Sequence, residues 1–164
     1  SILNTGQCLI RETEKEAELP LKNKDVTERI KTFDDAYNEL GSNHPFCKAW
    51  DSIYQGNEND DCEDIKDVIA YHKLRIIAAA LNEGWEPKFT KDEYRYYTYY
   101  CFYTKQEYDN LSDEDKKTCR AVGSAYYKSA FSITDAGIRI AFKNCELAEY
   151  AGQQFFDIYA DFLA

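Results

Sequence analysis

Residues 94–103 read YRYYTYYCFY. Almost every position is aromatic or β-branched, and such side chains fit a pleated, half-buried surface far better than the crowded flank of a helix. The run therefore predicts a strand, and alternation forces its large rings onto two opposite faces. Either set could be inward; the register with Arg95 outside exposes Arg95, Tyr97, Tyr99 and Tyr103. With 14 Tyr in 164 residues and aromatics at 15%, a sheet of this kind is the expected centre of the chain.

Further elements follow from local chemistry. Thr32 reads as an N-cap with Asp35 three residues on, Phe33, Tyr37 and Leu40 share one side, and Gly41 stands at C′, which predicts a helix over 33–40. Pro45 suits the first turn of a second helix, in which Phe46, Ala49, Trp50 and Ile53 recur at helical spacing. A third helix over 64–83 carries a stripe of Ile65, Val68, Ile69, His72, Ile76, Ala79 and Ala80. Leu74, Ile77 and Leu81 widen it toward an all-round apolar surface, so this helix is expected to be central. Gly84 ends it, and Trp85-Glu86-Pro87 is an extended connector.

Ser112 with Asp113, Glu114 and Asp115 predicts a short polar helix near 112–121. Ser124–Ile133 and Ile138–Phe142 alternate on either side of Thr134-Asp135-Ala136-Gly137, the pattern of a hairpin. Asn144 caps a C-terminal helix with Leu147, Ala148, Ala151, Phe155, Ile158, Tyr159 and Phe162 on its apolar side. The expected fold is α+β: an antiparallel sheet of three or more strands packed against the C-terminal amphipathic helix and an N-terminal helical layer. No linker interrupts the chain, which reads as a single domain over 1–164, helical over 31–83 and formed of strands plus the C-terminal helix over 94–163. Residues 1–30 are weakly periodic and read as a loosely docked arm.

The formal charge of −10, from 30 Asp and Glu against 20 Lys and Arg, opposes non-specific binding to nucleic acid or to an anionic membrane. Six scattered Cys and the lack of a signal-peptide pattern point to a reduced, cytoplasmic setting. Recognised catalytic motifs are missing: there is no glycine-rich phosphate loop and no nucleophile elbow. Of the two histidines, His72 lies on the apolar stripe of the third helix and reads as a hydrogen-bonded core residue, and His44 as a turn residue before Pro45. His44, Cys47 and Cys62 fall short of a closed zinc set. Glu58, Asp60, Asp61, Glu63 and Asp64 lack the spacing of a calcium loop and read as a solvated helix entry. No metal or cofactor is expected.

The outer sheet face stands above this background. If Ile138, Ile140 and Phe142 face the C-terminal helix, Arg139, Ala141 and Lys143 face away. The neighbouring strand then turns Tyr127, Phe131 and Ile133 inward and Tyr126 and Lys128 outward. Arg95, Tyr97, Tyr99, Tyr126, Lys128 and Arg139 thus form an aromatic, basic face. Three readings fit such a face: core tyrosines beneath helices, a protein interface, or a stacking platform for a nucleotide.

The segments KTFDDAYNELG (31–41), AYHKLRIIAAALNEGWEPKFTKDEYRYY (70–97) and RIAFKNCELAEYAGQQFFDIYADFL (139–163) resemble a recurrent protein group of gut Bacteroidales and their bacteriophages, crAss-like phages included. The group has no established activity, so the resemblance implies no catalytic residue. It implies a phage or prophage accessory protein acting inside a bacterial cell, or a protein packaged in the virion. The expected function is therefore non-enzymatic binding of a host protein or nucleotide-type ligand through the aromatic-basic face, for instance to blunt a host defence. The alternative is a virion structural or assembly protein.

Overall fold

The computed structural model describes residues 24–54, 65–88, 90, 93–122, 125–133 and 140–163. Its first element is a single helical turn, α1 (Val26–Arg29), capped by Asp25, whose carboxylate accepts the Thr27 N–H at 2.8 Å. Of the arm expected over 1–30, residues 1–23 lie outside the described residues, and residues 24–30 are anchored. Val26 and Ile30 are buried, the Tyr150 hydroxyl donates to the Ile30 carbonyl at 2.6 Å, and Arg29 forms ion pairs with Glu39 and Glu83.

Helix α2 (Phe33–Leu40) starts in the reciprocal capping box read from the sequence: the Asp35 N–H donates to the Thr32 hydroxyl at 3.1 Å, and the Thr32 N–H donates back to the Asp35 carboxylate at 2.8 Å. It stops at Gly41, whose φ of 78° is open to glycine at no steric cost. Helix α3 (Pro45–Tyr54) follows, and then α4 (Lys66–Leu81). Eight side chains of α4 are buried: Ile69, Ala70, Leu74, Ile76, Ile77, Ala78, Ala80 and Leu81. A helix apolar on more than one side needs neighbours on more than one side.

Strand β1 (Tyr96–Tyr103) leads into two short helices, α5 (Lys105–Asp109) and α6 (Asp113–Thr118). The first of these was not expected, although Thr104 and Glu107 form a second complete capping box. The second replaces only the first part of the helix expected near 112–121, since β2 (Cys119–Val122) begins at its end. β3 (Ala125–Ile133) pairs antiparallel with both other strands, in the order β1-β3-β2. Of the expected hairpin partner Ile138–Phe142, the described residues 140–142 form no strand beside β3. Residues 134–139 lie outside the described residues, and Phe142 instead makes an isolated bridge to Tyr96 of β1. The single C-terminal helix is two, α7 (Cys145–Gln154) and α8 (Phe156–Leu163), broken at Phe155, where φ −108° and ψ 30° leave helical geometry. Asn144 does cap α7, its side chain accepting the Leu147 N–H at 2.9 Å.

The expected α+β architecture is corrected: the described residues are mostly helical. The physical reason lies in what each element buries. α4 packs against α2, α3, α7 and α8, and these helices supply most of the buried core. Among the described residues, Tyr100 is the strand residue within that core, its hydroxyl donating to the Gly152 carbonyl at 2.9 Å. Thr98 likewise donates to the Ala148 carbonyl of α7. Among the described residues the N-terminal helices stack on α4, and the strands meet the helical body through α7 and through Phe156 and Tyr159 of α8. Tyrosine abundance predicted the strand but not its rank in the fold.

One buried side chain ties the end of α4 to the returning chain. Asn82 is 4% exposed; its amide nitrogen donates to the Ala141 carbonyl at 2.8 Å, and its amide oxygen accepts the Lys143 N–H at 3.0 Å. Glu83 at φ 50° and Gly84 at φ 86° then turn the chain, closed by the Trp85 N–H to the Asn82 carbonyl at 3.0 Å. Asn82→Ala would remove both side-chain bonds and leave their backbone partners without them, so a loss of about 2–3 kcal/mol is expected. Urea unfolding should show it as a lower midpoint at unchanged slope.

Candidate functional site: a cleft between two helices

Helix α3 packs against α4, with Phe46 near its start meeting Arg75 and Tyr54 at its end meeting His72. The apolar stripe expected to enter the core from α3 is split by this packing. Cys47, Trp50 and Tyr54 are buried, whereas Phe46 is half-buried, Ala49 is exposed and Ile53 is 56% exposed. The α4 stripe is split as well. Ile69, Ile76 and Ala80 are core, while Ile65 and Val68 are exposed, and His72 follows Val68 one turn on.

Between the two exposed halves lies a cleft of about 230 Å³, lined by Phe46, Ala49, Trp50, Ile53, His72 and Arg75. Its aromatic floor is held from several sides. Trp50 packs against Phe33 at 5.0 Å and Tyr54 at 4.2 Å between ring centroids, and the Lys73 ammonium lies over the Trp50 and Phe33 rings at 5.7 and 5.6 Å. Such rings present a large, rigid apolar surface at little conformational cost.

The polar wall has two members. The Tyr54 hydroxyl and His72 Nδ1 share a hydrogen bond of 3.0 Å. Burial, reinforced by the neighbouring Arg75 charge, holds the His72 pKa below the ordinary 6.5, and burial pushes the Tyr54 hydroxyl up, so both are neutral at pH 7. Arg75 stacks its guanidinium on Phe46, with Cζ 4.2 Å from the ring centroid. Its Nε is buried and has no hydrogen-bond acceptor among the described residues, and no carboxylate there pairs with it. Nearby, Asp51 accepts from the Tyr37 hydroxyl at 2.7 Å, which pushes the Tyr37 pKa up to about 12.

Of the face read from the sequence, the structure describes the side chains of Arg95 and Tyr97. Arg95, expected outside, is 4% exposed; it precedes the first ladder residue, Tyr96, so strand alternation does not govern where it points. Tyr97 is half-buried on β1 and pairs with Ser132. Backbone register sets Tyr99 opposite Ala130, Cys101 opposite Lys128 and Tyr103 opposite Tyr126. The side chains of Tyr99, Tyr126 and Lys128, and all of Arg139, lie outside the described residues.

His44 and Cys47 do not converge on a common point. His44 Nδ1 accepts the Phe46 N–H at 3.2 Å at the start of α3, while the Cys47 thiol is in the core, its pKa raised by burial. Cys62 and the run Glu58–Asp64 lie outside the described residues. Arg75 was missed in the sequence. The available signal was a second cation after Lys73, set between Leu74 and Ile76 at the start of an apolar run and three residues after His72.

Folding depresses the His72 pKa, so protonation favours the unfolded chain. The contribution of neutral His72 is complete above about pH 6.5 and is lost as pH falls through the lower folded value. Thermal midpoints of the wild type should therefore drop more than those of His72→Gln between pH 7 and pH 5, and the two profiles should run parallel above pH 7.

Compared with protein-family models, with curated proteins and with solved structures, the chain matches none.

Proposed function

We propose that this protein is a non-enzymatic accessory binding protein of phage or prophage origin, which engages a host protein through an aromatic and basic surface. The observation that carries the reading is the α3–α4 cleft, where Phe46, Trp50 and Ile53 stand beside an Arg75 that pairs with no carboxylate among the described residues. Aromatic anchors and arginine in a concave, partly desolvated site are the groups that dominate protein–protein recognition. The histidine there is neutral and engaged by Tyr54, an arrangement suited to holding a wall in place.

A cleft of about 230 Å³ is smaller than the roughly 300–1,000 Å³ that encloses drug-sized ligands. It fits one inserted side chain better than a whole nucleotide. The phage context rests on the resemblance of 31–41, 70–97 and 139–163, and no helix among the described residues is long and apolar enough to cross a membrane.

Affinity capture from the bacterial host with the wild type and with Ile53→Asp, which places a charge at the mouth of the cleft, tests the reading. A host protein retained by the wild type and reduced at least tenfold by the variant is expected. Equal retention by both would contradict the assignment to the cleft. Stoichiometric presence of the chain in purified phage particles would favour the structural alternative.

A further inference from the structure

Arg75, like Lys73, lies over aromatic rings and pairs with no carboxylate among the described residues. Arg29 is satisfied by Glu39 and Glu83, Lys143 by Glu83 and Lys66 by Asp161. Arg75 has Phe46 beneath one face of its guanidinium and Nε sealed in the seam between the helices. Arg75 is among the residues that line the cleft, so its guanidinium is the cation that an anion entering there would meet. Contact with the Phe46 ring restricts the group, which lowers the cost of ordering it when something binds.

We infer that the cleft is a carboxylate site: Arg75 receives an Asp, Glu or C-terminal carboxylate of the partner protein while an adjoining apolar group lies against Phe46, Trp50 and Ile53. This rests on the reading of the cleft as the partner's seat and names the chemistry that the cleft selects. A planar fork matches the two oxygens of a carboxylate in one bidentate contact. A phosphate, at about −1.5 to −2, calls for more donors than one arginine beside a neutral histidine, and the −10 of the whole chain opposes it more strongly than a singly charged carboxylate. The apolar floor, in turn, rejects a bare acidic side chain in favour of one with a hydrophobic neighbour.

The test uses the full chain carrying Trp85→Phe, which leaves Trp50 as its one tryptophan. Trp50 fluorescence is followed as 3-phenylpropionate, its uncharged amide or phenyl phosphate is added. Saturable binding of the acid is expected, at least tenfold weaker for the amide, weaker for phenyl phosphate, and at least tenfold weaker in Arg75→Lys, which keeps the charge and loses the fork. Unchanged thermal midpoints in Arg75→Lys separate lost binding from lost folding. Equal affinity for acid and amide, tighter binding of phenyl phosphate, or no effect of Arg75→Lys would overturn the inference.

The partner capture described above makes the two failures distinguishable. A host protein lost by Ile53→Asp but kept by Arg75→Lys overturns the carboxylate and spares the partner. Arg75-dependent binding of the acid, with no captured protein displaced by it, overturns a protein source for the carboxylate.

Discussion

Burial of α4 is the constraint on which the rest of the molecule depends. Ile69, Leu74, Ile76, Ile77 and Leu81 do not share one face, so the helix requires partners around much of its circumference. α2 and α3 come from before it in the chain, and α7 and α8 from after it. Their packing joins sequence-distant segments, and Asn82 fixes the point where the returning chain reaches the end of the helix. At roughly 25 cal/mol per Å² of apolar surface removed from water, side chains such as Leu74 and Ile77 each contribute about 1.5–3 kcal/mol when fully buried.

The same constraint creates the cleft. Because the core takes Ile69, Ile76 and Ala80 from α4, another flank turns His72 and Arg75 toward α3. Trp50 and Tyr54 fill the space beneath, and what is left between the helices is aromatic on its floor and polar on one wall. A guanidinium in that position is stabilised by Phe46, and no carboxylate among the described residues neutralises it. Stability and recognition therefore meet on one helix, with the core on one side and the site on the other.

Local signals in the sequence were dependable where the physics is local. The Thr32–Asp35 capping box, the stop at Gly41, the Asn144 cap and the prominence of the third helix each arise from residues a turn or two apart, and each is found in the structure. Non-local questions were misjudged. The tyrosine run at 94–103 announced a strand, yet composition could not say that helices, not strands, would hold the centre. Periodicity could not choose which side of α3 faces inward, because Phe46-Ala49-Trp50-Ile53 and Cys47-Trp50-Tyr54 are both plausible stripes and only the position of α4 decides. Arg75 was invisible to motif reasoning for the same reason: its meaning comes from Phe46, twenty-nine positions away.

The central claim, that α4 and not the strands is the structural keel, is tested most directly by native-state amide hydrogen exchange. Amides from Leu74 to Leu81 should exchange only through global unfolding, with protection equal to the full stability of the protein, while amides of β1 open at lower cost. If the β1 amides proved the most protected and those of α4 exchanged through local opening, the helical body would not be what holds this protein together.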